Sequence, residues 1–258
     1  RTSTKDYNYK IEFDTIDVPI SERYHIIENG YLGKYDLQEG IYNTQGGKKA
    51  NKPNVYFYSD GYFADAPHIY NPSLATMSLS LATSAANAAK TTTDFSIPSG
   101  AYSNLFRHAK QLLSDIGIKD ENIYVNNGFD KKPTIDTIGM IMGSKEISID
   151  SETYILIPIA VRGNDYGAEW ANNFTLTESG EAYGFANAAT MVLEQIQNYI
   201  STNTSFDISS ALDEGRVKFW LTGFSRGSAV ANITSKRLTD IYGEAGNSIY
   251  SYCFEVPK

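Results

Sequence analysis

The sequence predicts an α/β fold with a mostly parallel sheet and helices on both faces, and two observations carry this prediction. From residue 54 onward, short runs of β-branched and aromatic residues alternate with longer stretches whose apolar residues recur at helical spacing. Such alternation places consecutive strands parallel and packs the connecting helices against the sheet. The 258 residues, 41% of them hydrophobic, are enough for one large domain with a substantial core.

The chain divides into an N-terminal β-rich extension, residues 1–52, and an α/β domain, residues 53–258. In the extension, apolar and polar residues interleave between Tyr9 and Ile20, which indicates a strand. Residues 29–53 are rich in Gly, Asn, Lys and Tyr, and this composition is typical of turns and loops.

The first part of the α/β domain contains two predicted helices. A short strand at residues 54–58 precedes Asn71 and Pro72, which suit the N-cap and the first turn of a helix. A second helix is predicted at about residues 101–117, where Gly117 marks its end. Two strands are predicted to follow, at residues 122–125 and 138–142.

The second part contains the strongest strand signal, TYILIPIAV at residues 153–161. Pro158 lies inside this run, and because proline has no N–H to donate, we expect a bulge or an edge position there. A long amphipathic helix is predicted at residues 181–200. The remaining elements are a strand at 217–221, a helix at 226–242 capped by a left-handed Gly243, and a strand at 249–256.

The sequence Gly223-Phe224-Ser225-Arg226-Gly227 has the pattern G-x-S-x-G and lies between a predicted strand and a predicted helix. In this context the pattern predicts a sharp turn that lifts the Ser225 hydroxyl above the sheet edge as a nucleophile. Gly223 and Gly227 are expected because a Cβ there would collide with the neighbouring strand or helix. The helix N-terminus would offer N–H groups to an oxyanion. The alternative is a glycine-rich turn without chemistry.

Composition excludes several classes of function. A net charge of −8 argues against nucleic-acid binding and against docking on anionic membranes. The single cysteine, Cys253, permits no intrachain disulfide, and its apolar surroundings indicate a buried, inert thiol. No metal-ligand spacing, nucleotide-binding motif or run of 18 apolar residues occurs, so we expect no metal, no cofactor and no transmembrane segment.

The polar start of the sequence at Arg1 suits the region that follows a cleaved leader. We therefore expect a secreted or cell-surface protein. A cytoplasmic location stays open, because a single cysteine fits either compartment.

Several segments resemble the class 3 lipase family of α/β hydrolases when taken in order. They are IAVRGN at residues 159–164, Trp170 and Phe174, Gly184-Phe185 at a helix start, the GFSRG turn, and the final strand SYCFEVPK. The similarity covers roughly residues 138–258. It implies a bacterial lipase-like protein with an α/β-hydrolase-like fold that is incomplete at its C-terminus.

The resemblance also implies roles for individual residues. The backbone N–H groups of Asn164 and Arg226 would form the oxyanion hole, and Tyr166, Trp170 and Phe174 would belong to a lid or acyl pocket. Two alternatives stay open: residues 162–164 as an ordinary strand-end turn, and the aromatic residues as part of the core.

A serine nucleophile needs a base, and no histidine follows Ser225 in this sequence. The three histidines, His25, His68 and His108, all precede it, while Asp240 and Glu244 fall at the end of the helix after the turn. Three explanations are open. The acid and histidine lie beyond Lys258, in a removed segment or a separate chain; an upstream histidine such as His68 serves; or the hydrolase scaffold only binds.

The first explanation leads to a serine hydrolase of carboxylic esters, with an acyl ester or lipid substrate and Ser225 as nucleophile. This chain alone is then expected to be nearly inactive, because an unassisted serine hydroxyl is a poor nucleophile. The alternative function is a catalytically incompetent binding or surface protein on a hydrolase fold.

Overall fold

The structure is a computed structural model, and it describes residues 25–30, 54–86, 107–126, 138–163 and 183–256. The first half of the described chain contains β1 (His25–Gly30), β2 (Asn54–Tyr58), α1 (Pro72–Ala86), α2 (Arg107–Asp115), β3 (Ile123–Val125), β4 (Met140–Gly143) and β5 (Lys145–Ile149). The second half contains β6 (Glu152–Val161), α3 (Tyr183–Thr202), α4 (Ile208–Asp213), β7 (Val217–Phe224), α5 (Arg226–Tyr242) and β8 (Ser248–Phe254).

The main sheet has six strands and is mixed, which corrects the prediction of a mostly parallel sheet. Its order is β3-β4-β6-β7-β8, and β5 also pairs with β6. Only the pairs β6–β7 and β7–β8 are parallel, whereas β3–β4, β4–β6 and β5–β6 are antiparallel. The reason is local: β5 and β6 are joined by Asp150 and Ser151, whose φ angles of 50° and 70° suit a two-residue hairpin turn, too short for a parallel crossover.

Pro158 lies in a central strand, so the expected edge position is wrong. The strand β6 pairs with β7 along one side, including Pro158 itself opposite Trp220. On its other side β6 pairs with β5 as far as Leu156 and with β4 from Ile159 onward. The proline lies in the gap between these two partners, where the antiparallel ladder is interrupted and the missing N–H costs least.

Helices cover both faces of the sheet, as predicted. Helices α1 and α2 pack on one face with the side chains Leu74, Met77, Leu81, Leu112, Leu156, Trp220 and Tyr250. Helices α3, α4 and α5 pack on the other with Ile157, Ile159, Val192, Ile196, Leu212, Phe219, Leu221 and Val230. Because successive residues of a strand face opposite sides, the continuous apolar runs of β6 and β7 supply both cores.

The predicted helix ends agree with the structure at two of three places. The Asn71 side chain caps α1 by accepting a hydrogen bond from the Leu74 N–H at 2.9 Å. Gly117, with φ 94°, ends α2 in a left-handed turn. The prediction for Gly243 is wrong: its φ of −67° is right-handed, and the left-handed residue is Gly246 with φ 97°.

Two predictions lie outside the described residues. They are the strand between Tyr9 and Ile20 and the first turns of the helix predicted at 101–117. The strand β1, which lies in the predicted extension, pairs antiparallel with β2 at the start of the predicted α/β domain. The division into an extension and an α/β domain stays a prediction. No helix in the described part of the chain is both long and apolar enough to span a bilayer.

Candidate active site

Ser225 lies at a sharp turn between the last residue of β7 and the first residue of α5. Its backbone angles are φ 52° and ψ −124°, a combination that non-glycine residues rarely adopt. Such a conformation costs on the order of 1–3 kcal/mol and persists only where the surrounding structure imposes it. The turn lies at the carboxyl ends of the three parallel strands, where loops of an α/β sheet meet.

Hydrogen bonds hold the Ser225 backbone from both sides. Its N–H donates to the Phe254 carbonyl at the end of β8, at 2.9 Å. Its carbonyl accepts from the Ser228 N–H at 2.9 Å, from the Ser228 hydroxyl at 2.5 Å and from the Ala229 N–H at 3.3 Å. The serine is therefore fixed between the neighbouring strand and the first turn of α5.

Three glycines allow the backbone to close around Ser225. A Cβ on Gly223 would lie 2.3 Å from the Gly227 carbonyl, and a Cβ on Gly227 would lie 2.3 Å from the Val161 carbonyl oxygen. A Cβ on Gly163 would lie only 1.7 Å from the Phe224 carbonyl oxygen. The end of β6 therefore touches the serine turn directly, a contact that sequence reasoning missed although it had singled out the residues 162–164.

Two buried arginines flank the turn. Arg226 follows Ser225 directly and is 2% exposed, and Arg162, which ends β6, is 0% exposed. The guanidinium of Arg162 lies over Gly139, where a Cβ would be 2.8 Å from its Cζ. This burial could not be predicted from the sequence, because arginine is usually exposed.

An apolar cluster lies against the turn. Phe224 and Ala82 are buried in contact with the partly exposed Leu79 and Phe254. The C-terminal half of α1 thereby reaches the end of β7 next to Ser225.

No described residue acts as a base toward Ser225. The hydroxyl is partly exposed and makes no hydrogen bond to a described side chain. His68 lies exposed in the loop that precedes α1. Asp240 instead pairs with Lys236 on the exposed face of α5, with Nζ 2.5 Å from Oδ2. His25 lies in β1 and His108 in α2.

The remaining sequence predictions fall outside the described residues or are partly met. Asn164, Tyr166, Trp170 and Phe174 lie outside the described residues. Cys253 is half-buried rather than buried, and burial raises the pKa of its thiol, which keeps it protonated at neutral pH. In the described ranges, no group of three or more His, Cys, Asp or Glu residues is placed to hold a metal ion.

Comparisons with known proteins identify no family. No protein family model matches the chain, and neither does any curated protein. Among solved structures, the crystal structure of M37 lipase is similar, with 14% sequence identity and a TM-score of 0.35. The match covers 72% of this chain, which spans 59% of the length of that lipase. A similarity at this level identifies neither the fold nor the activity of this chain.

Proposed function

We propose that the protein is a serine hydrolase of carboxylic esters in which Ser225 is the nucleophile. The observation that carries the proposal is the backbone of Ser225, held at φ 52° and ψ −124° between a parallel strand and a helix. A G-x-S-x-G turn with this geometry presents the hydroxyl above the sheet edge, beside the N-terminus of the helix. The apolar cluster of Phe224, Ala82, Leu79 and Phe254 favours an acyl ester or lipid as substrate.

In the proposed reaction, Ser225 Oγ bonds to the carbonyl carbon of the ester and transfers its proton to a base. The negative charge on the carbonyl oxygen is held by the backbone N–H groups of Arg226 and Asn164. Collapse of the tetrahedral intermediate releases the alcohol with the transferred proton. Water then cleaves the acyl–serine ester by the same steps in reverse.

The base is proposed to be a histidine, aligned by a carboxylate, from the part of the protein beyond Lys258. The described residues bring no base to the Ser225 hydroxyl, and Asp240 is neutralised by Lys236. Residues 1–258 alone are therefore expected to turn over esters slowly. One observation favours a second function: the absent base also suits a hydrolase scaffold that only binds its ligand.

Added imidazole tests the proposal, because it can accept the serine proton in place of the histidine. Hydrolysis of p-nitrophenyl butyrate by residues 1–258 should rise with imidazole concentration above the rate of imidazole alone. Ser225→Ala should remove the whole protein-dependent increment, because it removes the nucleophile. The control Asp240→Asn should keep it, because that carboxylate is engaged on the far end of α5.

Equal rates for residues 1–258 and Ser225→Ala at every imidazole concentration would contradict the hydrolase. If residues 1–258 and Ser225→Ala react at equal rates but residues 1–258 bind a butyrate ester stoichiometrically, the result would support the alternative, a scaffold that only binds its ligand.

A further inference from the structure

A cavity lies beside the start of β5, at Lys145 and Glu146. Its volume is about 370 Å³, within the range of small-molecule sites. Lys145, in the cavity wall, pairs with Leu156 of β6, and Leu156 pairs with Lys218 of β7. Lys218 precedes Ser225 by seven residues. At about 3.3 Å per residue, the cavity therefore lies about 23 Å from Ser225 along the strand direction. Its walls include Asp60, Lys119, Asn122, Lys145, Glu146 and Phe206.

A partly buried ion pair forms one wall of the cavity. The Lys145 ammonium lies 2.5 Å from Asp60 Oδ1, donates to the Ile116 carbonyl at 2.8 Å, and lies 4.7 Å from the centre of the Tyr58 ring. Burial lowers the pKa of Lys145, and Asp60 opposes that effect. The Tyr58 hydroxyl also donates to Asp60 Oδ1. Asp60 Oδ2 makes no hydrogen bond with a described residue and stays available to a ligand.

Asn122 contributes a buried side-chain oxygen that lacks a hydrogen-bond partner among the described residues. The residue is 4% exposed, and its Oδ1 has no hydrogen-bond partner among the described residues. Its main chain is fixed, because its carbonyl accepts from the Tyr199 hydroxyl at 2.7 Å and from the Ser144 N–H at 3.2 Å. An unsatisfied buried amide destabilises a folded protein, so its presence in a cavity wall indicates a ligand that completes it.

Asn126 shows the contrast in the same region. It is 7% exposed, its amide donates to the Ile138 carbonyl at 2.7 Å, and its Oδ1 accepts from the Met140 N–H at 2.9 Å. A buried asparagine that serves only the fold is therefore fully hydrogen-bonded here, whereas Asn122 is not.

The charges around the cavity cancel. Lys145 and Lys119 are balanced by Asp60 and Glu146, and Lys119 and Glu146 form no ion pair with described residues. A lone anion would be repelled by the two carboxylates, and a lone cation by the two ammonium groups. A ligand with one positive and one negative charge can pair with both the carboxylates and the ammonium groups. Phe206 adds an apolar surface to the cavity wall.

We propose that this cavity binds a small zwitterion, namely an α-amino acid with an apolar side chain. Its carboxylate meets Lys119, its ammonium group meets Asp60 Oδ2 and Glu146, and its side chain packs on Phe206. Asn122 Oδ1 accepts a hydrogen bond from the ammonium group of the ligand. This binding is independent of the proposed hydrolysis at Ser225.

Calorimetric titration with L-leucine tests the proposal, with 4-methylpentanoate and isopentylamine as analogues that keep only one charge each. L-leucine should bind, and each analogue should bind at least 10-fold more weakly. Lys119→Ala and Glu146→Ala, both at exposed positions, should each weaken L-leucine binding by about 10-fold. Absence of L-leucine binding, or an analogue that binds as tightly, would overturn the proposal.

A pair of matched variants separates a ligand site from a packing defect. Asn122→Leu should abolish L-leucine binding yet raise the Tm of the ligand-free protein, because it removes an unsatisfied amide. Asn126→Leu should lower the Tm, because it breaks two hydrogen bonds. If Asn122→Leu lowers the Tm as Asn126→Leu does, or still binds L-leucine, the Asn122 amide is not part of a ligand site.

Discussion

At the scale of single residues, the strained backbone of Ser225 results from close backbone contacts around it. The N–H of Ser225 is fixed by Phe254, and its carbonyl is fixed by Ser228 and Ala229. Gly163 meets the turn from β6 and leaves no room for a side chain. The strain at Ser225 is thus imposed by three elements that meet at one point.

Replacing Gly163 tests this tight contact. Gly163→Ala would place a Cβ 1.7 Å from the Phe224 carbonyl oxygen, so the backbone must shift. We expect the free energy of unfolding, measured in urea, to fall by ~3 kcal/mol, as for severe overpacking. The control Gly61→Ala, whose Cβ would meet only the Ser59 side chain at 3.2 Å, should change it by about 0.5 kcal/mol at most. Equal effects of the two variants would contradict the contact.

Single residues were predictable from sequence where their role depends on near neighbours. Asn71 caps α1 through a bond to a residue three positions away, and such a signal is visible in sequence. Gly243 was not predictable in the same way. The end of α5 is fixed by Asn247, whose buried amide donates to the Leu212 and Tyr242 carbonyls and accepts from the Val217 N–H. These contacts join distant segments.

At the scale of elements, β5, like β1, was a strand that sequence reasoning missed. Its residues alternate between buried and exposed, with Lys145 and Ile147 facing inward. A buried lysine conceals the alternating pattern, and Asp150 and Ser151 form the hairpin turn without the glycine that usually marks it. The short β5 therefore escaped prediction, and with it the antiparallel half of the sheet.

Tyr250 anchors the segment before α1 to β8, and its titration gives a pH-dependent prediction. Its hydroxyl donates to the Phe63 and Asp65 carbonyls, at 2.8 and 2.7 Å, and burial raises its pKa from 10.0 to about 12. A raised pKa means that the stabilisation is complete below pH 10 and is lost as the pH rises toward 12. Tyr250→Phe should cost about 1–2 kcal/mol of unfolding free energy at pH 7.

The difference in unfolding free energy between the unchanged protein and Tyr250→Phe should shrink between pH 10 and pH 12. In this range Tyr250 is protonated in the folded protein and loses its proton on unfolding, whereas phenylalanine has no proton to lose. Urea unfolding at pH 7, 10 and 11.5 measures this difference. Tyr58 and Tyr199, whose pKa values burial also raises, are common to both proteins and cancel in the comparison. A difference that stays constant with pH would show that the Tyr250 hydroxyl does not make these bonds.

At the scale of the whole molecule, the sequence was sufficient for the layers but not for the complete site. The helical spacing of the apolar residues predicted helices on both faces of the sheet, because each helix buries an apolar stripe against the sheet. The serine turn was predictable because its five residues are consecutive. The burial of Arg162 and Arg226 and the contact of Gly163 were not, because they arise where β6, β7 and α5 meet.

The central claim is that Ser225 is a nucleophile, and covalent labelling tests it most directly. The protein, purified from its source so that any accompanying polypeptide is retained, is treated with a fluorophosphonate and measured by intact mass under denaturing conditions. We expect one adduct, mapped to Ser225 and absent from Ser225→Ala. An unlabelled protein under conditions that label a known serine hydrolase, or an adduct on another residue, would contradict it.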